Sequence, residues 1–137
     1  MKKDFKKWHA KKSEIHNDKM RPFFHEREVW FCAIGENIGF EQDGSGESFL
    51  RPILILKKFN NQVIWALPLT RTDKTGKYYF RTSLLVDNGN GNANDRPSVV
   101  ILSQLRLVDA KRLQYKVGTV KEDEFTQIKE ALIALLK

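Results

Sequence analysis

The sequence has few of the residues that build metal centres and covalent catalysts. It contains one cysteine, Cys32, which excludes an internal disulfide and favours a reducing compartment, with the cytoplasm as the default expectation. Its three histidines, His9, His16 and His25, all lie in the first 25 residues. No cysteine or histidine pair has the spacing of a zinc site, and no glycine-rich phosphate loop occurs. We therefore expect no metal and no cofactor, so any catalysis must use arginine, lysine, threonine, serine, glutamate or backbone groups.

Long apolar runs are missing as well. No stretch of about 18 apolar residues is present, so we expect no membrane-spanning helix. The initial Met-Lys-Lys is followed by charged residues instead of the apolar segment of a signal peptide. We therefore expect no membrane partner, and we interpret Cys32, which lies in an apolar stretch, as a core residue.

Positive charge is what the chain has in excess. Its 137 residues carry a formal net charge of +7 with a sequence pI of about 9.6, and 41% of them are hydrophobic. This composition is typical of one folded domain, and a small basic domain often binds phosphate groups. Residues 1–28 hold nine Lys or Arg against five Asp or Glu. That segment is either a solvated basic helix or a contact surface, and charge alone does not distinguish the two.

The N-terminal segment has the periodicity of a helix. Over residues 3–19 the large apolar side chains recur on one face, at Phe5, Trp8 and Ile15. The helix should end before Pro22, because the residue that precedes a proline avoids helical angles. We interpret residues 1–27 as a basic helical extension that packs on the remaining domain.

From residue 28 the sequence changes to short stretches rich in β-branched and aromatic residues, which favour strands. A helix follows at the C-terminus, with one apolar face formed by Phe125, Ile128, Leu132 and Leu135. Short strands joined by short links and closed by one helix predict a mainly β, α+β fold: a small antiparallel barrel over residues 28–137. The predicted strands are 28–34, 52–58, 62–69, 78–86, 97–103, 104–108 and 116–120, with loops at 35–50 and 87–95, a helical turn at 109–113 and the helix at 122–136.

Two polar residues stand at the ends of neighbouring predicted strands. Arg51 opens one strand, and the proline that follows it favours extended geometry. Thr70 ends the next strand, and a tight turn at Asn60-Asn61 joins the two as a hairpin. Because the start of one hairpin strand lies beside the end of the other, we expect Arg51 and Thr70 to be close in space.

With these features in this order, the chain resembles the MazF/PemK family of toxin endoribonucleases. The matching residues are Glu41-Gln42, R-P-x-L-x-L from Arg51, P-L-T ending at Thr70, and the stretch from Val99 to Leu113, followed by a C-terminal helix. The resemblance covers about residues 28–136. It implies an SH3-like barrel, a homodimer, cleavage of single-stranded RNA at short sequences, and a cognate antitoxin as partner.

The resemblance also implies roles for particular residues. Arg51 and Thr70 serve the scissile phosphate as catalytic residues. RNA carries its own nucleophile, the 2′-hydroxyl, so alignment and charge stabilisation suffice, and a 2′,3′-cyclic phosphate and a 5′-hydroxyl end are the expected products. Some relatives carry a histidine, an arginine and an acid where this chain has Phe40, Ile101 and Ser103, so the base that removes the 2′-hydroxyl proton is not assigned. The implied RNA contacts are Phe40, Glu41, Gln42, Arg71, Ser103 and Gln104.

Other interpretations of these residues remain open. Gln104 reads a base edge or satisfies backbone groups, and Phe40 stacks on a base or fills the barrel mouth. Arg106 and Asp109 are interpreted as structural, paired with each other or with backbone. The whole chain is alternatively a non-catalytic member of the same fold that inhibits a protein target or binds RNA. The joint presence of Arg51 and Thr70 favours the nuclease, because a binding module does not need that pair.

Overall fold

The computed structural model describes residues 2–87 and 93–137 and contains one antiparallel sheet flanked by a helix from each end of the chain. Neither helix among these residues has the length and apolar character needed to cross a membrane. The elements are α1 (Phe5–Asn17), β1 (Glu28–Ala33), β2 (Leu50–Lys58), β3 (Val63–Thr70), β4 (Tyr79–Asp87), β5 (Ala93–Ile101), β6 (Arg106–Asp109), β7 (Leu113–Val120) and α2 (Glu122–Leu135), with 3₁₀ turns at Leu102–Gln104 and Ala110–Arg112.

The sheet closes on itself. Its described strands follow the order β2-β1-β7-β4-β5-β3-β6, and β2 also pairs with β3, so six of them form a ring to which β6 adds an edge. All of these pairings are antiparallel. The predicted mainly β, α+β class with a C-terminal helix is confirmed.

The predicted hairpin of β2 and β3 is also confirmed. Its register pairs Ile53 with Pro68 and Leu54 with Leu67. The turn is fixed by Asn60, whose side-chain oxygen accepts hydrogen bonds from the backbone N–H groups of Gln62 (2.8 Å) and Val63 (2.9 Å). Continuing this register places the start of β2 beside the end of β3.

Helix α2 packs its predicted apolar face on the sheet. Phe125 and Ile128 are buried in a cluster with side chains from across the sheet, such as Leu54 and Val100. Leu132 and Leu135 are partly buried against the same cluster, and three acidic residues occupy the first turn, as the helix dipole favours.

Helix α1 is shorter than the predicted 3–19. Asp4 caps its start by accepting a hydrogen bond from the Lys7 backbone N–H (3.0 Å), and the helix ends at Asn17, well before Pro22. Asp18 is already extended, and its carboxylate accepts from the backbone N–H of Met20 (2.9 Å), an arrangement that competes with the helix.

The predicted apolar face of α1 is correct for two of its three residues. Trp8 and Ile15 are buried, but Phe5 is 51% exposed. Ile15 follows Trp8 by seven positions, so the two nearly coincide around the helix, whereas Phe5 lies about 60° from Trp8 in the first turn.

Most predicted strand boundaries in the sheet shift by one or two residues, and three regions differ further. Asp87 and Ala93 belong to strands β4 and β5 and pair with each other, so the predicted loop 87–95 is wrong at both ends, and its middle, residues 88–92, lies outside the described residues. Ser103 and Gln104 lie in a 3₁₀ turn instead of strands. Strand β7 begins at Leu113, three residues before the predicted 116–120, because the predicted helical turn occupies only Ala110–Arg112.

Candidate functional site

The hairpin brings Arg51 and Thr70 into one cleft of about 250 Å³. Arg51 enters it from the start of β2, and Thr70 enters it from the end of β3. Arg71 follows directly and lines the same cleft, as do Ser45 and Ser98. The structure therefore places three of the predicted site residues together, on two strands whose pairing fixes their separation.

The Arg51 guanidinium is held by neutral oxygen atoms. Its Nε donates to the carbonyl of Asp43 (2.6 Å) and its Nη1 to the carbonyl of Leu69 (3.1 Å). With its amide turned so that both groups are satisfied, the Gln42 side-chain oxygen accepts from Nε (3.1 Å) and Nη2 (2.8 Å) of Arg51. These acceptors fix the guanidinium without cancelling its positive charge.

Burial and charge act in opposite directions on this guanidinium. Partial burial lowers the pKa of Arg51 below its usual value, because the charged form loses hydration, and the nearby negative charge of Asp43 partly offsets this. An arginine stays protonated in proteins, so Arg51 offers a permanent positive charge at the cleft wall. In partly dehydrated surroundings such a charge attracts an anion more strongly than it does in bulk water.

Thr70 has a hydroxyl that keeps its own hydrogen available. Its Oγ1 accepts a hydrogen bond from the backbone N–H of Thr72 (3.2 Å), which fixes the turn after β3. A hydroxyl can accept and donate at once, so this contact leaves its O–H free to donate. The Thr70 carbonyl accepts from the Ser98 hydroxyl (3.4 Å), which ties the end of β3 to β5.

Four other predicted residues line a second cleft, of about 260 Å³: Glu41, Gln42, Ser103 and Gln104. The Gln104 side chain is bonded to the loop backbone, since its Oε1 accepts from the Gln42 N–H (3.3 Å) and its Nε2 donates to the Phe40 carbonyl (3.2 Å). Two interpretations of Gln104 were open, a contact with a base edge or with backbone groups, and the structure contains the contact with backbone. Gln42 belongs to both clefts in effect, because its side chain lies against Arg51.

Phe40 and Glu41 stand at the rim. The Phe40 ring is fully exposed, so it does not fill the mouth of the barrel. The Glu41 carboxylate accepts from the Ile38 backbone N–H (3.3 Å) and lines the second cleft. The described residues that line the Arg51 cleft include neither a carboxylate nor a histidine. This cleft is therefore equipped to stabilise negative charge, and it offers no side chain for removing a proton.

The remaining nucleophile and metal candidates lie elsewhere. Cys32 is completely buried, and burial raises the pKa of its thiol to about 12, so it is an inert core residue as expected. His25 lies beside Glu28, with its Nδ1 3.3 Å from the carboxylate, on the side of the sheet where β1 begins. Within residues 2–87 and 93–137, no three His, Cys, Asp or Glu side chains come together as a potential metal site.

Sequence reasoning missed the network behind Arg51. The Asp43 carboxylate forms an ion pair with Lys3 (2.9 Å) and accepts from the Asn37 backbone N–H (2.6 Å). The Asn37 amide in turn donates to the carbonyls of Ile34 (3.0 Å) and Gln42 (2.8 Å). A contact between residue 3 and residue 43 leaves no local pattern in the sequence, so nothing there predicted it.

For Asp109, two alternative contacts were predicted, one with Arg106 and one with backbone, and the structure contains only the second. Asp109 forms two hydrogen bonds with Arg21, from Nε (3.0 Å) and Nη2 (2.9 Å), instead of pairing with Arg106. Its carboxylate also accepts from the Lys111 backbone N–H (2.8 Å), so the alternative of a backbone contact is confirmed.

Comparison with known proteins supplies a family. Residues 25–136 match the family described as PemK-like, MazF-like toxin of type II toxin-antitoxin system. No curated protein sequence matches the chain.

Several solved structures share its fold. The Mycobacterium tuberculosis toxin MazF-mt6 is 16% identical over 80% of this chain and 96% of its own, with a TM-score of 0.57. A mycobacterial endoribonuclease in complex with its cognate antitoxin is 17% identical over 83% of this chain and 95% of its own (TM-score 0.55). MazF from Deinococcus radiodurans is 17% identical over 86% of this chain and 98% of its own (TM-score 0.54). At such identities the likeness establishes the fold and leaves activity to be argued from the site.

Proposed function

The chain belongs to the PemK-like, MazF-like family of type II toxin–antitoxin toxins, and we propose that it is an endoribonuclease that cuts single-stranded RNA at short sequences without a metal ion. One observation carries the proposal: Arg51 and Thr70 line the same cleft, with Arg71 beside them. A cation and a hydroxyl donor that converge on one space suit the negatively charged oxygen atoms of a phosphodiester.

The chemistry proposed for this cleft needs little from the protein. The RNA 2′-oxygen attacks the neighbouring phosphorus, and the bond from phosphorus to the 5′-oxygen breaks. The 2′-hydroxyl loses its proton to solvent, and the departing 5′-oxygen takes up a proton from solvent. The products are a 2′,3′-cyclic phosphate and a 5′-hydroxyl end, and no water molecule is consumed. Alignment of the 2′-oxygen and stabilisation of the added charge on phosphorus are the tasks left to the protein.

Arg51 is the proposed charge stabiliser. Its guanidinium is planar and permanently charged, and its geometry matches two phosphate oxygens. The contacts with Asp43, Leu69 and Gln42 hold it in place before the substrate arrives, so little reorganisation is required during the reaction. Removal of one such preorganised donor typically lowers kcat by about 10²–10³-fold.

Thr70 is the proposed second catalytic residue. Its hydroxyl, oriented by the Thr72 N–H, donates to a phosphate oxygen on the Thr70 side of the cleft. Arg71 is exposed and lines both this cleft and a larger open one beside it, so it suits a neighbouring phosphate of the same strand.

The rim and the second cleft are proposed to bind bases. Single-stranded RNA is recognised through unstacked bases that pack on aromatic rings, and Phe40 presents a fully exposed ring beside the cleft. Glu41, Gln42 and Ser103 offer polar groups for base edges. Gln104 contributes through the Phe40–Gln42 backbone that it holds.

Partners are proposed by analogy with the relatives. A mycobacterial endoribonuclease and the MazF of Deinococcus radiodurans have been solved with an antitoxin, and we propose a cognate antitoxin here. We also propose a homodimer, for which the exposed Ile133 of α2 and Leu136 directly after the helix offer apolar surface. We propose the cytoplasm as its location, because messenger RNA is translated there. We also propose that residues 1–27 form an extension and that residues 28–137 form the catalytic domain.

The test is cleavage of a long single-stranded RNA of varied sequence by the full chain in excess EDTA. We expect fragments with 2′,3′-cyclic phosphate ends. Arg51→Ala should lower kcat by about 10²–10³-fold. Arg51→Lys, which keeps the charge but loses the planar fork, should recover only part of that loss. Thr70→Val removes the hydroxyl at nearly constant volume and should lower the rate, while Thr70→Ser should retain it.

Lys129→Ala is the matched control for loss of one positive charge. Lys129 lies on α2 and lines neither cleft, so its variant should cut RNA like the parent. RNA left intact by the parent chain would remove the nuclease proposal. Cleavage that persists in a folded Arg51→Ala variant would remove the site assignment, and loss of activity in EDTA would contradict the metal-free chemistry.

A further inference from the structure

We propose that the N-terminal extension is part of the working site: Lys3 is a positioning residue that locks the loop of residues 37–43, and through that loop it fixes the Arg51 guanidinium. The inference rests on the proposed function for its kinetic consequence, but the lock itself is a property of the folded chain. Residues 2–24 lie outside the segment that matches the family, so this contact is a feature of this chain in addition to the family domain.

The first link is between Lys3 and the loop. The Lys3 ammonium forms an ion pair with the Asp43 carboxylate (2.9 Å) and donates to the carbonyls of Gly39 (3.2 Å) and Asn37. An ammonium has three hydrogens, and these three partners match that number. The Lys3 side chain is only 18% exposed. Lys3 is thus committed to the loop, and it is not a free cation waiting for a phosphate.

The second link is between the loop and Arg51. Asp43, whose side chain Lys3 holds, presents its own backbone carbonyl to Arg51 Nε at 2.6 Å. Gln42, the next residue back, places its side-chain amide on the same guanidinium. A shift of residues 42 and 43 therefore moves two of the three groups that fix Arg51, and only the Leu69 carbonyl stays in place.

The third link anchors the extension itself. Trp8 is buried, packs on the Phe49 ring at a centroid distance of 5.3 Å, and lies under the Arg112 guanidinium. It also lies against Gly35, where an added Cβ would stand 2.0 Å from the Trp8 ring. Helix α1 is therefore fitted to both ends of the long segment that contains the loop, and Lys3 reaches the loop from a fixed base.

Two measurements on the full chain test the proposal, with Lys3→Gln as the main variant. Hydrogen exchange reports the lock directly: the amides of Asn37 and Gln42, bonded to Asp43 and Gln104, should exchange about tenfold faster than in the parent. Amides in the middle of β3 should be unchanged. RNA cleavage reports the consequence: kcat should fall by about tenfold because Arg51 is misplaced, and KM should rise as well because the same loop presents the proposed base contacts Phe40 and Glu41.

Two further variants separate positioning from charge. Lys7→Gln removes the same charge from the same extension, where Lys7 pairs with exposed Glu47 (2.8 Å), so its exchange and its kinetics should match the parent. Lys3→Arg keeps the ion pair and should restore most of kcat.

Contrary results would overturn the proposal in distinct ways. Unchanged loop exchange in Lys3→Gln removes the lock, and an equal loss in Lys7→Gln, or an effect on KM alone, makes Lys3 a general electrostatic contributor instead. If the parent chain cleaves no RNA, the proposed function fails, whereas the exchange experiment still decides whether Lys3 holds the loop.

Discussion

The two helices are almost equal in length, with 13 residues in α1 and 14 in α2, but they are held to the sheet differently. Helix α2 inserts Phe125 and Ile128 into the large cluster that runs across the sheet. Helix α1 buries Trp8 and Ile15 in a small separate cluster with Ala33 and Phe49. Its other contacts, together with those of Lys3 just before it, are mostly polar, and several of them reach the segment between β1 and β2.

This difference indicates that α2 mainly governs the stability of the fold, whereas α1 mainly affects the geometry of the candidate site. Because α2 completes one of the two large apolar clusters of the sheet, its loss should unfold the domain as a whole. Because α1 rests on a small cluster and on polar contacts, it can detach locally at a lower cost in free energy. The element that costs less to detach is the one connected to Arg51, so a small local change is expected to be felt first at the candidate site.

The largest effect on the free energy of unfolding is expected at the buried face of α2. Ile128→Ala deletes a fully buried side chain and should lower the free energy of unfolding by about 3 kcal/mol. Denaturant unfolding checks this value. RNA cleavage per folded molecule should stay at the parent level, because Ile128 lines neither cleft. A loss of activity larger than the unfolded fraction would mean that the two helices are not functionally distinct.

A smaller effect is expected where α1 meets the sheet. Gly35 has a φ of +81° and lies against Trp8, so Gly35→Ala adds both backbone strain and a clash and should cost about 2 kcal/mol. The change should displace α1 and leave α2 in place, which hydrogen exchange resolves residue by residue. In a double-mutant cycle with Trp8→Ala, much of this cost should disappear. Strictly additive effects would show that the clash with Trp8 is not its source.

A polar contact of α2 should matter less than its apolar one. The buried Thr82 hydroxyl donates to Glu124 in the first turn of α2 at 2.9 Å. Thr82→Val removes this hydrogen bond at similar volume, and we expect a loss of about 1 kcal/mol in denaturant unfolding. A loss as large as that of Ile128→Ala would mean that α2, like α1, depends on polar contacts.

The smallest expected effect depends on pH. Hydrogen bonds from Arg21 hold the pKa of Asp109 below its usual value, and they tie the segment after α1 to the end of β6. A lowered pKa contributes stability that is full above the unfolded-state pKa of the carboxyl and is lost as pH falls through the folded-state value. Asp109→Asn should therefore lower Tm slightly at pH 7, and the difference from the parent should shrink as the pH is lowered below 4. A difference that is constant with pH would exclude the ion pair as its origin.

The sequence was most informative where local pattern decides structure. The apolar strands on either side of the tight turn at Asn60-Asn61 predicted the hairpin, and the hairpin was enough to bring Arg51 and Thr70 together. The spacing of Phe125 and Ile128 predicted the face of α2. These features depend on neighbours in the chain, so a single sequence contains the information needed to predict them.

What the sequence did not predict are contacts between distant segments. Lys3 with Asp43 and Trp8 with Gly35 join the extension to a loop that reads only as glycine-bearing and polar. Asp109 was predicted to pair with nearby Arg106 or with backbone, and besides the backbone contact it is Arg21 that reaches it across the fold. Many charged residues compete for each partner in a basic chain, and side-chain geometry decides among them only after the backbone has folded.

The docking of α1 also carries a consequence for the order of synthesis. Its surface includes Lys111, whose ammonium donates to the His16 carbonyl (2.9 Å), and Arg112, whose guanidinium lies over Trp8. These two residues are synthesised about a hundred residues after α1, the helix that they contact. Helix α1, which is made before the strands, is thus expected to be among the last elements to dock. In a nascent chain the proposed contact of Lys3 with the loop beside Arg51 is therefore expected to become stable only after β6 and the turn after it have emerged, when most of the domain has been translated.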